Sequence, residues 1–297
     1  MADLKEKLYY FITSVIMAIP GVSLNLYIIA VNLRDWARNA RTGICDKILF
    51  STAVICALLQ LMITSDTILY YFTKYQKFDF DMILFIFMFT VFLIHATFWN
   101  TSCLSIYCCF IMVNFTHHII CRVKTWFLSK VNWLLVGSVV ASFAINLPLF
   151  WTEHLNALKN TTKGFGNKLL VGNDASVYLS VIVGSCLPFL LTFLSNGLSV
   201  LSILRHILRM RKNQPQFTCP QFKAHVQASR SMTVRVIMDL IFQINIGLFV
   251  YTFEVSSGMQ MMCWTVVALY PSTQALISIV GNPKLRKSFL WFRNVAE

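Results

Sequence analysis

The sequence predicts an all-α membrane protein, a seven-transmembrane helix bundle with its N-terminus extracellular and its C-terminus cytoplasmic. Three observations predict it. The 297 residues are 57% hydrophobic and only 12% charged, against roughly a quarter charged in a soluble domain. The apolar residues gather into seven runs, at 8–33, 48–73, 82–116, 131–152, 175–208, 232–253 and 261–283. Each meets the ~17–25 residues that a spanning helix needs. The charge between the runs is sorted. Alternate flanks, beginning with 34–47, hold 18 of the 25 Lys and Arg against three acids, while the other flanks hold seven bases and seven acids. One face therefore carries +15 and the other zero, which is the positive-inside pattern and sets the orientation.

The first span, 8–33, contains no charge and holds Pro20. With seven residues ahead of it, no cleavable signal peptide is expected, and this span is expected to direct insertion. The second, 48–73, carries a single acid, Asp66. The third, 82–116, is uncharged apart from the titratable His95 and too long to stand upright, so a tilted helix protruding into the cytoplasm is expected. The fourth, 131–152, is again uncharged and contains Pro148. The fifth contains Pro188 and the seventh Pro271. These prolines remove backbone donors and are expected to kink their helices. The sixth carries Arg235 and Asp239 four residues apart, with Gln243 continuing the same helical face. Charge inside a membrane is expensive and implies a buried partner. Two arrangements satisfy this: a polar stripe linking helices, or Arg235 snorkelling to the interface while Asp239 bonds a neighbour. Residues 284–297 form a short basic tail in which Phe289, Leu290, Trp291 and Phe292 offer an apolar face, so a helix lying on the membrane surface is expected. The whole of 1–297 reads as one seven-helix domain.

The same features exclude other classes. A net charge of +13 invites nucleic acid, but the bases form short juxtamembrane clusters whose natural partner is the lipid bilayer, at about 1 kcal/mol per base. No nucleic-acid partner is expected. Of nine cysteines, six lie in spans and Cys45, Cys121 and Cys219 on the reducing face, while the outer segments contain none. No disulfide framework, metal site or cofactor is expected. An enzyme is excluded by the lack of any HExxH, nucleophile elbow, phosphate loop or paired intramembrane acids. A transporter or channel would need inverted repeats or a lined polar path, and neither is present. Asn160-Thr161-Thr162 is a glycosylation sequon on the outer face.

Several strings on the basic face resemble one family. Tyr270-Pro271-Ser272-Thr273 followed by Gly281-Asn282-Pro283-Lys284-Leu285-Arg286-Lys287 resembles YPSxHSFILIxGNxKLK of the type 2 taste receptors, the bitter-sensing branch of the G protein-coupled receptors. Ser202 to Met210 resembles SLxxHxxxM, Lys223-Ala224-His225-Val226-Gln227-Ala228 matches KAHxxA, and Asp46-Lys47-Ile48-Leu49 matches DxIL. Gly21 and Asn25, Trp99 and Leu104, and Asn114-Phe115-Thr116 fall where the family has related residues. DRY, CWxP and NPxxY are absent. The nearest alternative is a vomeronasal type 1 pheromone receptor, in which KAHVQA would be unexpected. The chain departs from the family at Cys56 (usually Arg), at Tyr107–Val113 (usually FYxxKIA) and at Gln274 (usually His).

The resemblance implies a multi-pass plasma-membrane receptor whose partners are small bitter molecules outside and a heterotrimeric G protein of the gustducin type inside. Carried over by position, the outer pocket would be formed by Asp66, Thr90, Ile94, His95, Phe242, Trp264 and Val267. Phe242 and Trp264 offer flat apolar surface. Asp66 either pairs a ligand ammonium or bonds backbone or water, and His95 is either an interior hydrogen-bonded histidine or a ligand contact. On the cytoplasmic side Arg205, His206, Arg209, Lys223, His225 and Arg230 would meet the G protein.

Overall fold

A computed structural model describes residues 2–38, 43–73, 80–113, 118–159, 175–213, 220–252 and 257–296. Among these every element is helical. They are α1 (Ala2–Ala37), α2 (Ile44–Thr73), α3 (Phe80–Met112), α4 (His118–Lys159), α5 (Ala175–Val181), a π-helical turn (Ile182–Cys186), α6 (Leu187–Asn213), α7 (Pro220–Thr252), α8 (Ser257–Gly281) and α9 (Pro283–Ala296). The fifth span is α5, the π turn and α6 running on without a break. Seven helical stretches are long and apolar enough to cross a membrane, as the hydropathy predicts. The expected third span ends at 116, but α3 stops at Met112. The expected fourth and sixth spans began where the apolar runs begin, whereas α4 starts at His118 and α7 at Pro220. Hydropathy finds the membrane-embedded part, and a helix continues past it wherever its polar turns can be solvated.

The packing order follows from which faces are apolar on all sides. Helix α3 contacts α2, α4, α6 and the π turn, and its residues from Ala96 to Phe98 and from Asn100 to Ser105 are buried almost without interruption. A helix buried on all sides belongs at the bundle centre. Helix α8 contacts both α1 and α7, which closes the ring. On α4, by contrast, Trp133, Val136, Val140, Phe143, Leu147 and Trp151 stay exposed. Their spacing of three or four residues draws one stripe along the helix, the face turned to lipid.

We call the end that carries α9 the inner end. One apolar cluster fills the inner half, including Ile28, Ile48, Leu104, Ile279 and Leu285. A second fills the outer half around Leu59, Phe98, Phe242 and Tyr270. Pro20, Pro148 and Pro271 lie inside α1, α4 and α8. Pro188 is the second residue after the π turn, whose last bond runs from the Leu187 N–H to the Ile182 carbonyl. A proline cannot donate to the preceding turn, and the wider turn redistributes the carbonyls left over. The Pro188 carbonyl accepts from the hydroxyls of Ser102 and Thr192.

Candidate functional site

The outer cluster gathers four of the seven residues expected to form the pocket. Ile94, Trp264 and Val267 pack against the group that contains Phe242. Phe242 itself is 1% exposed. Its ring stacks on Tyr270 with centroids 4.0 Å apart, and Phe98 approaches both rings at 6.0 Å. Trp264 donates its indole N–H to Ser14 Oγ at 3.1 Å, and Ser14 meets Thr67 at 2.9 Å. Asp66 is partly buried beside Thr67 on α2. The Tyr10 ring stands edge-on to Trp264.

Thr90 and His95 turn elsewhere. The Thr90 hydroxyl donates to the Ile86 carbonyl of its own helix at 2.8 Å. His95 is buried toward α4 and the π turn, where its Nδ1 meets Asn146 Nδ2 at 3.1 Å and Ser180 donates to Asn146 Oδ1 at 3.3 Å. A β-carbon at Gly184 would overlap the His95 imidazole, so only glycine admits the ring there. His95 is thus an interior, hydrogen-bonded histidine.

Below the aromatic triad lies a polar network between α7 and α8. Arg235 and Asp239 are both almost fully buried, so Arg235 does not snorkel. Its Nη2 donates to Ser278 Oγ at 2.8 Å, and Ser278 donates to the Gln274 carbonyl at 2.8 Å. Gln274 Nε2 donates to Asp239 Oδ1 at 2.6 Å, and the Tyr270 hydroxyl donates to the same oxygen at 3.1 Å. Tyr270, Gln274 and Ser278 recur every four residues, so one face of α8 meets one face of α7. Cys56 is fully buried and lies within electrostatic reach of Arg235. Arg235 Nη1 and Asp239 Oδ2 find no hydrogen-bond partner among the described residues. Sequence reasoning found Arg235 and Asp239 but missed Tyr270 and Ser278 as their partners. The four-residue spacing along α8 was the available signal.

At the inner end Lys284 Nζ lies 2.8 Å from Asp35 and 2.9 Å from Asp46. This joins α9 to the ends of α1 and α2, and the strings containing Asp46 and Lys284 meet in space. Asn282 caps α9, its Oδ1 accepting from the Lys284 N–H at 2.9 Å. Burial alone would lower the Lys284 pKa, but the hydrogen bonds and charges of Asp35 and Asp46 outweigh it and raise the pKa above the usual lysine value. The clamp is therefore intact at neutral pH; it loses the ammonium charge as pH rises through that elevated value, and the Asp35 charge as pH falls through a value that the Lys284 hydrogen bond holds below the usual carboxylate range. Arg205 and Arg230 are exposed. His206, Arg209, Lys223 and His225 lie on α6 and α7, with side chains outside the described ones, and Asn160 lies outside the described residues. Among the described residues no cluster of His, Cys, Asp or Glu has metal-binding geometry.

A bundle of seven membrane-spanning helices, with an apolar outer cluster stacked on a buried polar network, defines the chain as a seven-helix membrane protein. Comparison with known proteins makes this specific. Residues 1–295 match the family described as Taste receptor protein (TAS2R), and the chain belongs to that family. It is 28% identical to taste receptor type 2 member 4 of Gorilla gorilla gorilla, covering 97% of this chain and 99% of the relative. The same identity and coverage hold for member 4 of Homo sapiens. It is 29% identical to taste receptor type 2 member 7 of Macaca mulatta, covering 91% of this chain and 87% of the relative. The chain is accordingly a multi-pass plasma-membrane G protein-coupled receptor of the bitter taste class, not an enzyme.

Proposed function

We propose that small bitter molecules bind among the outer ends of α2, α3, α7 and α8, and that binding biases the α7–α8 network read by a gustducin-type G protein. The observation that carries this is the 4.0 Å stack of Phe242 on Tyr270. Tyr270 also donates its hydroxyl to Asp239, so one residue belongs to both the apolar cluster and the polar network. An agonist that displaces Phe242 or Trp264 changes the packing of Tyr270, and through it the hydrogen bonds that hold α7 to α8. Such a ligand shifts the bundle only by the difference in its affinity for the two arrangements.

An apolar cluster with few polar groups suits rigid, largely apolar ligands. Asp66, next to Thr67 on α2, would supply a carboxylate for a cationic agonist. The basic inner ends of α6 and α7, including Arg205, His206, Arg209, Lys223, His225 and Arg230, would receive the G protein. The sorted charge supports an extracellular N-terminus and a cytoplasmic α9.

The test is a cell assay with a promiscuous G protein and a panel of bitter compounds. A dose-dependent calcium response is expected. Phe242→Ala and Trp264→Ala should each weaken it about tenfold or more, as expected for a buried aromatic anchor, with surface expression retained. Asp66→Asn should weaken responses to cationic agonists alone. Ligand-independent current, or responses indifferent to both aromatic substitutions, would refute the reading.

A further inference from the structure

A cavity of about 400 Å³ opens at the inner end between α1 and α9, lined by Arg34, Arg38, Lys287 and Ser288. Its size falls within the roughly 300–1,000 Å³ of small-molecule sites. Arg34 lies in the last turn of α1 and Arg38 directly after it, its N–H bonded to the Arg34 carbonyl, while Lys287 and Ser288 lie on α9. The nearby carboxylates are already engaged, since Lys284 holds Asp35 Oδ2 at 2.8 Å and Asp46 Oδ2 at 2.9 Å. Arg34 forms an ion pair with Asp35, its Nε 3.6 Å from Oδ1, and this Nε makes no hydrogen bond of normal length among the described residues. Among the described residues no ion pair engages Arg38 or Lys287. The Ser288 side chain hydrogen-bonds Tyr27, which orients a hydroxyl at the same wall.

We propose that this cavity binds a phosphomonoester-bearing anion, supplied by the headgroup of a polyphosphorylated lipid in the inner leaflet. Two arginines from the end of α1 and a lysine from α9 line it together, and Arg forks match phosphate oxygens two at a time. The cavity lies where the apolar spans give way to the basic flank, the depth of lipid headgroups. A negatively charged inner leaflet concentrates such lipids against bases at this level. The bound headgroup would bridge α1 to α9 beside the Lys284 clamp. The proposal rests on the inner end facing the cytoplasm and is independent of which agonist the receptor binds.

Native mass spectrometry of the full chain in detergent tests this with three probes: dioctanoyl phosphatidylinositol bisphosphate, dioctanoyl phosphatidylserine and soluble inositol trisphosphate. The bisphosphate lipid should bind most tightly. Arg34→Gln and Lys287→Gln, on different helices, should each weaken it about fivefold, in line with the ~1 kcal/mol that each base contributes. Arg122→Gln, outside the cavity on α4, should leave it unchanged. Size-exclusion profiles and circular dichroism establish that each variant is folded. Equal binding of phosphatidylserine, or equal losses in the cavity variants and Arg122→Gln, would overturn the site. Inositol trisphosphate binding as tightly as the lipid would overturn the membrane source.

Discussion

At the scale of single residues, buried charge on α7 sets the largest energies. Asp239 Oδ1 receives two hydrogen bonds from α8, and Arg235 reaches Ser278 on the same helix. Removing one member leaves the other charge in an apolar interior, which costs on the order of 3–5 kcal/mol. Replacing both with apolar residues removes that penalty. Asp239→Leu and Arg235→Met should therefore each lower thermal stability in detergent sharply, and the double variant should recover most of the loss. Additive losses would mean that the two charges are held independently. Much of this was legible beforehand, because two opposite charges four apart inside an apolar run require a buried partner. The identity of that partner was less so. Gln274 stands where the resemblance places a histidine and Cys56 where it places an arginine, and the buried cation in this region now enters from α7.

At the scale of elements, the fifth span departs most from what a pattern of apolar residues describes. Seven spans and the terminal helix α9 follow from composition and charge, since lipid leaves a backbone few ways to satisfy itself. The π turn does not. It follows from Pro188 and from the need to seat the His95 ring against Gly184, both of which depend on contacts between distant segments. Hydropathy treats 175–208 as one uniform run and carries no information about such a contact. Gly184→Ala should therefore reduce stability by about 1–3 kcal/mol, the usual range for overpacking. His95→Ala combined with it should cost less than the two changes added together. Thermal unfolding of the purified variants checks the non-additivity.

At the scale of the whole molecule, orientation links the separate readings. The neutral face is to be outside, where the agonist arrives, and the +15 face inside, where the transducer and the anionic leaflet lie. Asn160 reports on this directly. Glycosidase treatment should increase the gel mobility of the wild-type chain and leave that of Asn160→Gln unchanged. An unglycosylated Asn160 together with an N-terminal tag inaccessible on intact cells would reverse the assignment. The proposed pocket was the least legible part. Four of its seven expected residues share one cluster, while His95 and Thr90 spend their polar groups on the fold itself.

The Lys284 clamp also has a meaning in time. Asp46 and Lys284 are 238 residues apart in the chain. At roughly 5–20 residues per second, the ribosome makes both acids some tens of seconds before their lysine. Until α9 is made, Asp35 and Asp46 lack the lysine that joins them. The last helix therefore closes the first two only at the end of synthesis.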